Sequence, residues 1–407
     1  MGDESFKSDV RLMIMKSERI GKHIKILSGY PFKSVYFNEE GSGLPLIRVR
    51  DVNSGFSGMY YSGDYPEEYV IENGDTLIGM DGDFKVVEWK YGKSLLNQRV
   101  CKIEVNSSSL NKQYLLQFLP AALNEIHKNT NFTTVKHLSV KTIELIQIPL
   151  PPLDEQKRIA AVLTRAEKLI HRRKESIGLL DEFLKSTFLE MFGDPVRNEK
   201  GWEKQALGDK IKIKHGFAFK SEYFSEEGKY VLLTPGNFYE QGGFRDRGAK
   251  QKFYIGEIPQ DYVLKEGDLL VAMTEQAPGL LGSPIIVPSS NKYLHNQRLG
   301  LIVKMTKINN KYLFFLFNDR AIRGLIHLKA TGTKVRHTSP TKIEELVVPI
   351  PPLDLQYQFA AIVEKVEALK AKYSASLAEL ENLYGSLSQR AFKGELDLTT
   401  EVTECTE

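Results

Sequence analysis

The sequence predicts an α+β protein: two similar α/β domains separated by two long antiparallel helices forming a coiled coil, a tandem repeat with a pseudo-twofold. Three observations carry this. First, Ile148-Pro149-Leu150-Pro151-Pro152-Leu153-Asp154-Glu155-Gln156 recurs as Val348-Pro349-Ile350-Pro351-Pro352-Leu353-Asp354-Leu355-Gln356. Second, before each copy, short apolar and β-branched runs alternate with Gly, Asp and Asn turns, the texture of strands. Third, after each copy the apolar residues keep the alternating three and four step of paired helices.

The repeat reaches back through the chain. Ile24 to Phe37, with Gly29-Tyr30-Pro31-Phe32-Lys33-Ser34-Val35-Tyr36, matches Ile211 to Phe224, with Gly216-Phe217-Ala218-Phe219-Lys220-Ser221-Glu222-Tyr223. Gly74-Asp75-Thr76-Leu77 matches Gly267-Asp268-Leu269-Leu270, and Asn97-Gln98-Arg99 matches Asn296-Gln297-Arg298. The offset grows along the series, so insertions fall between matched blocks, as expected of one scaffold carrying different loops.

Strands are expected at Val70-Ile71, Thr76 to Ile78, Leu269 to Val271 and Leu299 to Val303, and helices over Lys112 to His127 and Asn310 to Lys329. The expected domains are 1–147 and 202–347, followed by helical spacers at 148–192 and 348–394 and a tail at 395–407. Paired prolines end the preceding strand, and Asp154 and Asp354 stand where a helix N-cap belongs.

The first seam is Ile159, Leu163, Ala166, Ile170, Ile177, Leu180, Leu184 and Met191, broken by Arg173 and Thr187. The second is Phe359, Val363, Val366, Tyr373, Leu377, Leu380, Tyr384, Leu387 and Ala391, broken by Lys370. Each helix should run about 37 residues, or roughly 55 Å. Faces this apolar need a partner, and each is the other's. With copies related by a local twofold, an antiparallel spacer with the domains at opposite ends is expected.

At 407 residues the chain exceeds one core. A net charge of +3 neither demands nor excludes a polyanion. Cys101 and Cys405 define neither a disulfide framework nor a zinc site. The start lacks a signal-peptide pattern and no long apolar run occurs, so a cytoplasmic protein without a membrane partner is expected.

Catalytic motifs for triphosphate, zinc-protease or serine-hydrolase chemistry are missing from the sequence. Asp81-Gly82-Asp83 followed by Glu88-Trp89-Lys90 has a nuclease-like pattern that could hold Mg2+, but it is short and absent from the second copy, and a charged hairpin is the favoured reading. The stronger signal is cationic, hydroxyl and aromatic residues interleaved at matching places. Lys33, Ser34 and Tyr36, matched by Lys220, Ser221 and Tyr223, can grip phosphate oxygens; alternatively they are solvated beside core phenylalanines.

Thr133, Thr134, Lys136 and His137, matched by Thr333, Lys334, Arg336 and His337, could address base edges or backbone; a strand-entry turn is the other reading. Gln98 and Arg99, with Gln297 and Arg298, suit adenine and guanine, or an arginine bound to a carboxylate within the domain. Lys7, Arg11, Lys16, Arg19, Lys22 and Lys25 read as a solvated helix face.

The twice-repeated Pro-Pro-Leu-Asp-x-Gln, the Gly-x-x-Phe-Lys-Ser-x-x-Phe block, Asn-Gln-Arg and Ala391-Phe392-Lys393-Gly394-Glu395-Leu396 resemble the specificity subunits of type I restriction-modification systems over essentially the whole length. Only the first block departs, with Tyr30-Pro31 in place of Phe217-Ala218. The resemblance implies two target recognition domains, each reading one half of an asymmetric, bipartite DNA site. The helices would set the gap and dock methyltransferase subunits. Catalysis would lie in partners: methyl transfer from S-adenosylmethionine in the modification subunit, ATP-driven translocation and Mg2+-dependent cleavage in the restriction subunit. A protein scaffold without DNA recognition, or a self-sufficient nuclease using Glu88 and Lys90, are the alternatives.

Overall fold

The computed structural model describes residues 16–129, 136–276 and 279–396. It divides into two compact units, Met1–Lys174 with Ala375–Glu407 and Glu175–Ser374, so each combines a globular part with half of each long helix.

In the first unit an antiparallel sheet runs Ile24–Ser28, Val100–Val105, Thr76–Gly79, Val86–Glu88. A second sheet contains a parallel pair, Leu44–Ile47 beside Ser94–Leu96. In the second unit the same order returns as Ile211–His215, Leu299–Lys304, Leu269–Ala272, Pro284–Ile286, with Tyr230–Leu232 parallel to Tyr293–Leu294. Alternating residues of each sheet face a helix: Ile24, Ile78, Cys101 and Ile103 pack with Tyr114, Leu115 and Leu119 of Lys112–Asn129. Burial pushes the Cys101 thiol up to about 12, so it packs as a small apolar group; Cys405 lies outside the described residues.

Three expectations change. Asn310 to Lys329 is two helices, Asn310–Asn318 and Arg320–Leu328, because the Asp319 carboxylate caps the second by accepting from the Ala321 and Ile322 amides. The basic amino-terminal set is no helix face: Arg19 ends a strand paired with Gln147–Pro149, Lys22 lies in a 3-10 turn and Lys25 in a sheet strand, while Lys7 and Arg11 fall outside the described residues. Asp154 and Asp354 sit inside the first turn rather than at the cap, since the Pro152 and Pro352 carbonyls already accept from the Gln156 and Gln356 amides.

The glutamine of the repeated motif joins helix to domain. Gln156 is fully buried; its Nε2 donates to the Ser109 and Pro151 carbonyls and its Oε1 accepts from the Asn111 amide, at 2.8 Å each. Gln356 does the same with Pro351 and the Asn309 amide, at 2.9 Å each. Beside them the Tyr114 and Tyr312 hydroxyls donate to the Pro149 and Pro349 carbonyls, and burial raises both phenols so that they stay neutral donors.

The long helices are Leu153–Phe192 and Leu353–Lys393, 40 and 41 residues, and they pack together antiparallel. In the first unit Ile159 and Leu163 share a core with Leu387 and Ala391; in the second Leu184, Phe188 and Phe192 share one with Phe359, Val363 and Val366. Between these anchored stretches Ile170, Ile177, Leu180, Tyr373, Leu377 and Leu380 are half-buried, because only the other helix covers them. Tyr384 is half-buried against the first core, its hydroxyl donating to Gln117 Oε1 at 3.0 Å.

Lys370, the break in the second seam, is desolvated, yet its bonds to Asp181 at 2.6 Å and Glu367 at 3.4 Å outweigh that and raise its pKa. Beside the seam Leu169 and Leu383 stand exposed in the first unit, and Phe183 and Leu369 in the second. Among the described residues no helix is long and apolar enough to cross a membrane.

Removing the glutamine side chain leaves three backbone groups unpaired in the first unit, one buried and two part-buried. Gln156→Ala is therefore expected to cost about 3 kcal/mol of unfolding free energy in urea titrations; a loss below about 1 kcal/mol would show that the clamp does not hold the helix.

Candidate nucleic-acid interface

A close approach of two backbone segments builds each candidate site. A Cβ on Gly29 would lie 2.1 Å from the Asn97 carbonyl oxygen, and one on Gly216 2.0 Å from that of Asn296, so only glycine lets the segments meet. The meeting is fastened by Tyr30 N–H to Leu96 and Gln98 N–H to Tyr30, repeated as Phe217 N–H to His295 and Gln297 N–H to Phe217. The Lys-Ser block and the Asn-Gln-Arg block, far apart in sequence, thus become neighbours. Lys33 and Ser34, like Lys220 and Ser221, stand exposed on a 3-10 turn. Tyr36 and Tyr223 are part-covered, each ring edge-on to a core tyrosine, Tyr61 or Tyr254.

A third segment joins the same edge. The Met80 amide donates to the Arg99 carbonyl and the Leu138 amide to Met80; Met273, Arg298 and Thr338 repeat both bonds. In the first unit the Asp81 carboxylate accepts from His137 Nδ1 at 2.7 Å and pairs with the Arg99 guanidinium at 3.5 Å. In the second, Thr274 stands where Asp81 does, and its hydroxyl meets His337 Nδ1 at 3.1 Å. Gln98, Gln297 and Arg298 are exposed. Lys136 is half-buried, its Nζ bonded to the His127 carbonyl. Arg336 lies 3.4 Å from His327 Nδ1, and Thr333 and Lys334 are exposed on the turn between Thr331 and His337. Thr133 and Thr134 lie outside the described residues.

The second unit carries a groove at this edge. One hollow of about 580 Å3 is lined by Arg245, Arg247, Lys252, Thr274, Gln276 and Arg298, among others. An adjoining one of about 310 Å3 shares Thr234, Lys252 and Arg298 and adds Ser221 and Gln297. Arg245, Arg247 and Lys252 are not among the residues the sequence singles out, because they sit in insertions between matched blocks; the Arg245-Asp246-Arg247 run is their signal. Asp246, between the two arginines, does not line either hollow; its carboxylate accepts from the Gly248 amide and Gln251 Nε2, and the first of these bonds lowers its pKa most. Glu275, 3% exposed, anchors the Gln276 loop by accepting from the Gly279, Leu280 and Leu281 amides at 2.9–3.1 Å.

The nuclease-like string does not converge. Glu88 is paired with Lys112 at 3.0 Å and lies opposite Thr76, five residues from Asp81 and so roughly 15 Å along the strand. Among the described residues no group of three or more His, Cys, Asp or Glu is placed to hold a metal.

The family model for the type I restriction modification DNA specificity domain matches residues 22–178 and again 199–382. The chain belongs to this family. It is 29% identical over 402 residues to the type I restriction enzyme EcoBI specificity subunit of Escherichia coli, covering 91% of this chain and 84% of that one. It is 26% identical over 366 residues to the MjaVIII specificity subunit of Methanocaldococcus jannaschii, covering 86% and 85%. In fold it is similar to the crystal structure of the type I restriction-modification S subunit from M. genitalium, with a TM-score of 0.54 at 14% identity over 97% of this chain and 99% of that one. Both specificity domains therefore carry the glycine-fastened edge, each with its own side chains.

In the second specificity domain a buried histidine braces the Gln297-Arg298 turn. His295 donates from Nε2 to the Leu299 carbonyl at 2.9 Å, leaving Nδ1 without a partner, and burial pushes its pKa down to about 4. Between that value and an ordinary 6.5 the unfolded chain binds a proton that the folded chain refuses. Stability is thus complete above pH 6.5 and falls by up to about 3 kcal/mol as the pH drops towards 4. Leu96 holds the matching place in the first domain. His295→Leu is expected to flatten this acid slope in urea titrations from pH 7 to 4; an unaltered slope would assign the acid sensitivity elsewhere.

Proposed function

We propose that this chain is the DNA-specificity subunit of a type I restriction-modification assembly, each domain reading one half of an asymmetric, bipartite duplex site. The observation that carries this is the groove of the second unit, where phosphate-binding cations surround amide and guanidinium groups suited to base edges. The unlike residues on the matching edge of the first domain support different half-sites.

The chain acts without catalysing. Methyl transfer from S-adenosylmethionine belongs to methyltransferase subunits, and ATP-driven, Mg2+-dependent cleavage to restriction subunits, in the cytoplasm where the DNA lies. The paired helices set the gap between half-sites, and the exposed pairs beside the seam, Leu169 with Leu383 in the first unit and Phe183 with Leu369 in the second, each offer a methyltransferase subunit apolar surface.

With methyltransferase subunits present, an electrophoretic shift assay should show sequence-specific binding; binding indifferent to sequence, or none, would contradict the proposal and favour a protein scaffold. Lys33→Ala and Lys220→Ala should weaken binding to all sequences and each reduce the salt slope by about one, whereas unchanged slopes would remove both from the phosphate contacts. A heptad inserted at matched places in both helices adds about 10 Å of length. It should lengthen the gap by about three base pairs or abolish binding; an unchanged gap would exclude the helices as the spacer.

A further inference from the structure

We infer that Arg298 reads a guanine in the half-site of the second domain, and that Asp81 withdraws the corresponding Arg99 from that task in the first. The inference rests on the DNA-specificity reading above and deepens it.

Both arginines leave the same backbone frame. Each follows the Asn-Gln pair fastened by Gly29 or Gly216, and each carbonyl accepts from the amide of Met80 or Met273. The Arg298 amide is also fixed, donating to Asn296 Oδ1 at 3.0 Å. The side chains start alike; one difference in their surroundings is the charge of the residue after Met80 or Met273. Asp81 takes the Arg99 guanidinium and the His137 imidazole into one network. Thr274 keeps the histidine contact but has no charge to offer, and among the described residues Arg298 makes no ion pair.

A free guanidinium in a groove lined by Arg245, Arg247 and Lys252 sits among three other cations, with Glu240 the one carboxylate on the same lining. Within the protein that arrangement is repulsive; it becomes favourable when an anionic backbone crosses the groove and an acceptor pair meets the fork. Guanine offers such a pair at O6 and N7, which a planar guanidinium engages bidentately. Arg245, Arg247 and Lys252 then neutralise phosphates, and Gln276, held by the Glu275-anchored loop, lies within the same hollow. In the first domain the Asp81 carboxylate, 3.5 Å from Arg99 Nε, competes with a base for the guanidinium.

The test compares the sites methylated by the complete complex with methyltransferase subunits, using duplex libraries randomised in either half-site. Arg298→Ala should lower discrimination at one guanine of the second half-site by roughly 10- to 100-fold, leaving the first half-site unchanged. Arg298→Lys should retain the salt slope of binding but lose the same discrimination, since an ammonium keeps the charge without the fork. Thr274→Asp should mimic Arg298→Ala by capturing the guanidinium. Unchanged discrimination in Arg298→Ala and Arg298→Lys, or equal loss in both half-sites, would overturn the inference while the wild type stayed specific. A wild-type complex without any sequence preference would instead overturn the functional reading beneath it.

Discussion

The buried amide of the repeated glutamine is the constraint on which the structure depends. Each of Gln156 and Gln356 satisfies backbone groups on both sides of a junction, the proline end of the last strand and the segment that opens the domain's helix. A helix that merely followed a domain could swivel about its linker. One whose first turn is hydrogen-bonded into the domain core cannot, and the rigid prolines remove the remaining freedom. Its direction is then a property of the domain. Within each unit the halves of the two long helices are thus held in the direction that the domain core sets.

The same economy appears at the candidate interface. Glycine at positions 29 and 216 lets two strand-connecting segments touch, and backbone hydrogen bonds do the fastening. Side chains on that edge are therefore spared from structural duty. Asp81 can become Thr274, a loop can enlarge to bring Arg245 and Arg247, and the frame stays. Such a division between invariant backbone and free side chains is what a recognition module requires when its target must vary independently of its fold.

Much of this was legible in the sequence. The repeated blocks named the edge segments, and the three and four step named the seam, because both are local patterns imposed by backbone geometry. What was not legible depended on tertiary placement. Nothing in the string Met80-Asp81-Gly82 announces that its carboxylate faces Arg99, eighteen positions on, and His137 beyond that. The break at Asp319 hides inside a continuous helical period, since Asp suits both a helix surface and a cap. Spacing alone suggested a helix face for Arg19 and Lys25, yet strand pairing with Gln147–Pro149 and Val100–Val105 decides their conformation. The groove cations have no counterpart in the matching blocks, because they lie in insertions where the second domain keeps its own chemistry.

The proposed function has two unlike domains select one split DNA sequence for a methyltransferase. Sequence-resolved mapping of modified bases, in DNA from cells carrying the methyltransferase subunits with and without this gene, tests it most directly. The account predicts a single motif, modified only when the gene is present, with two different specified halves and an unspecified gap of constant length. A continuous or palindromic motif, a variable gap, or modification that persists without the gene would contradict it.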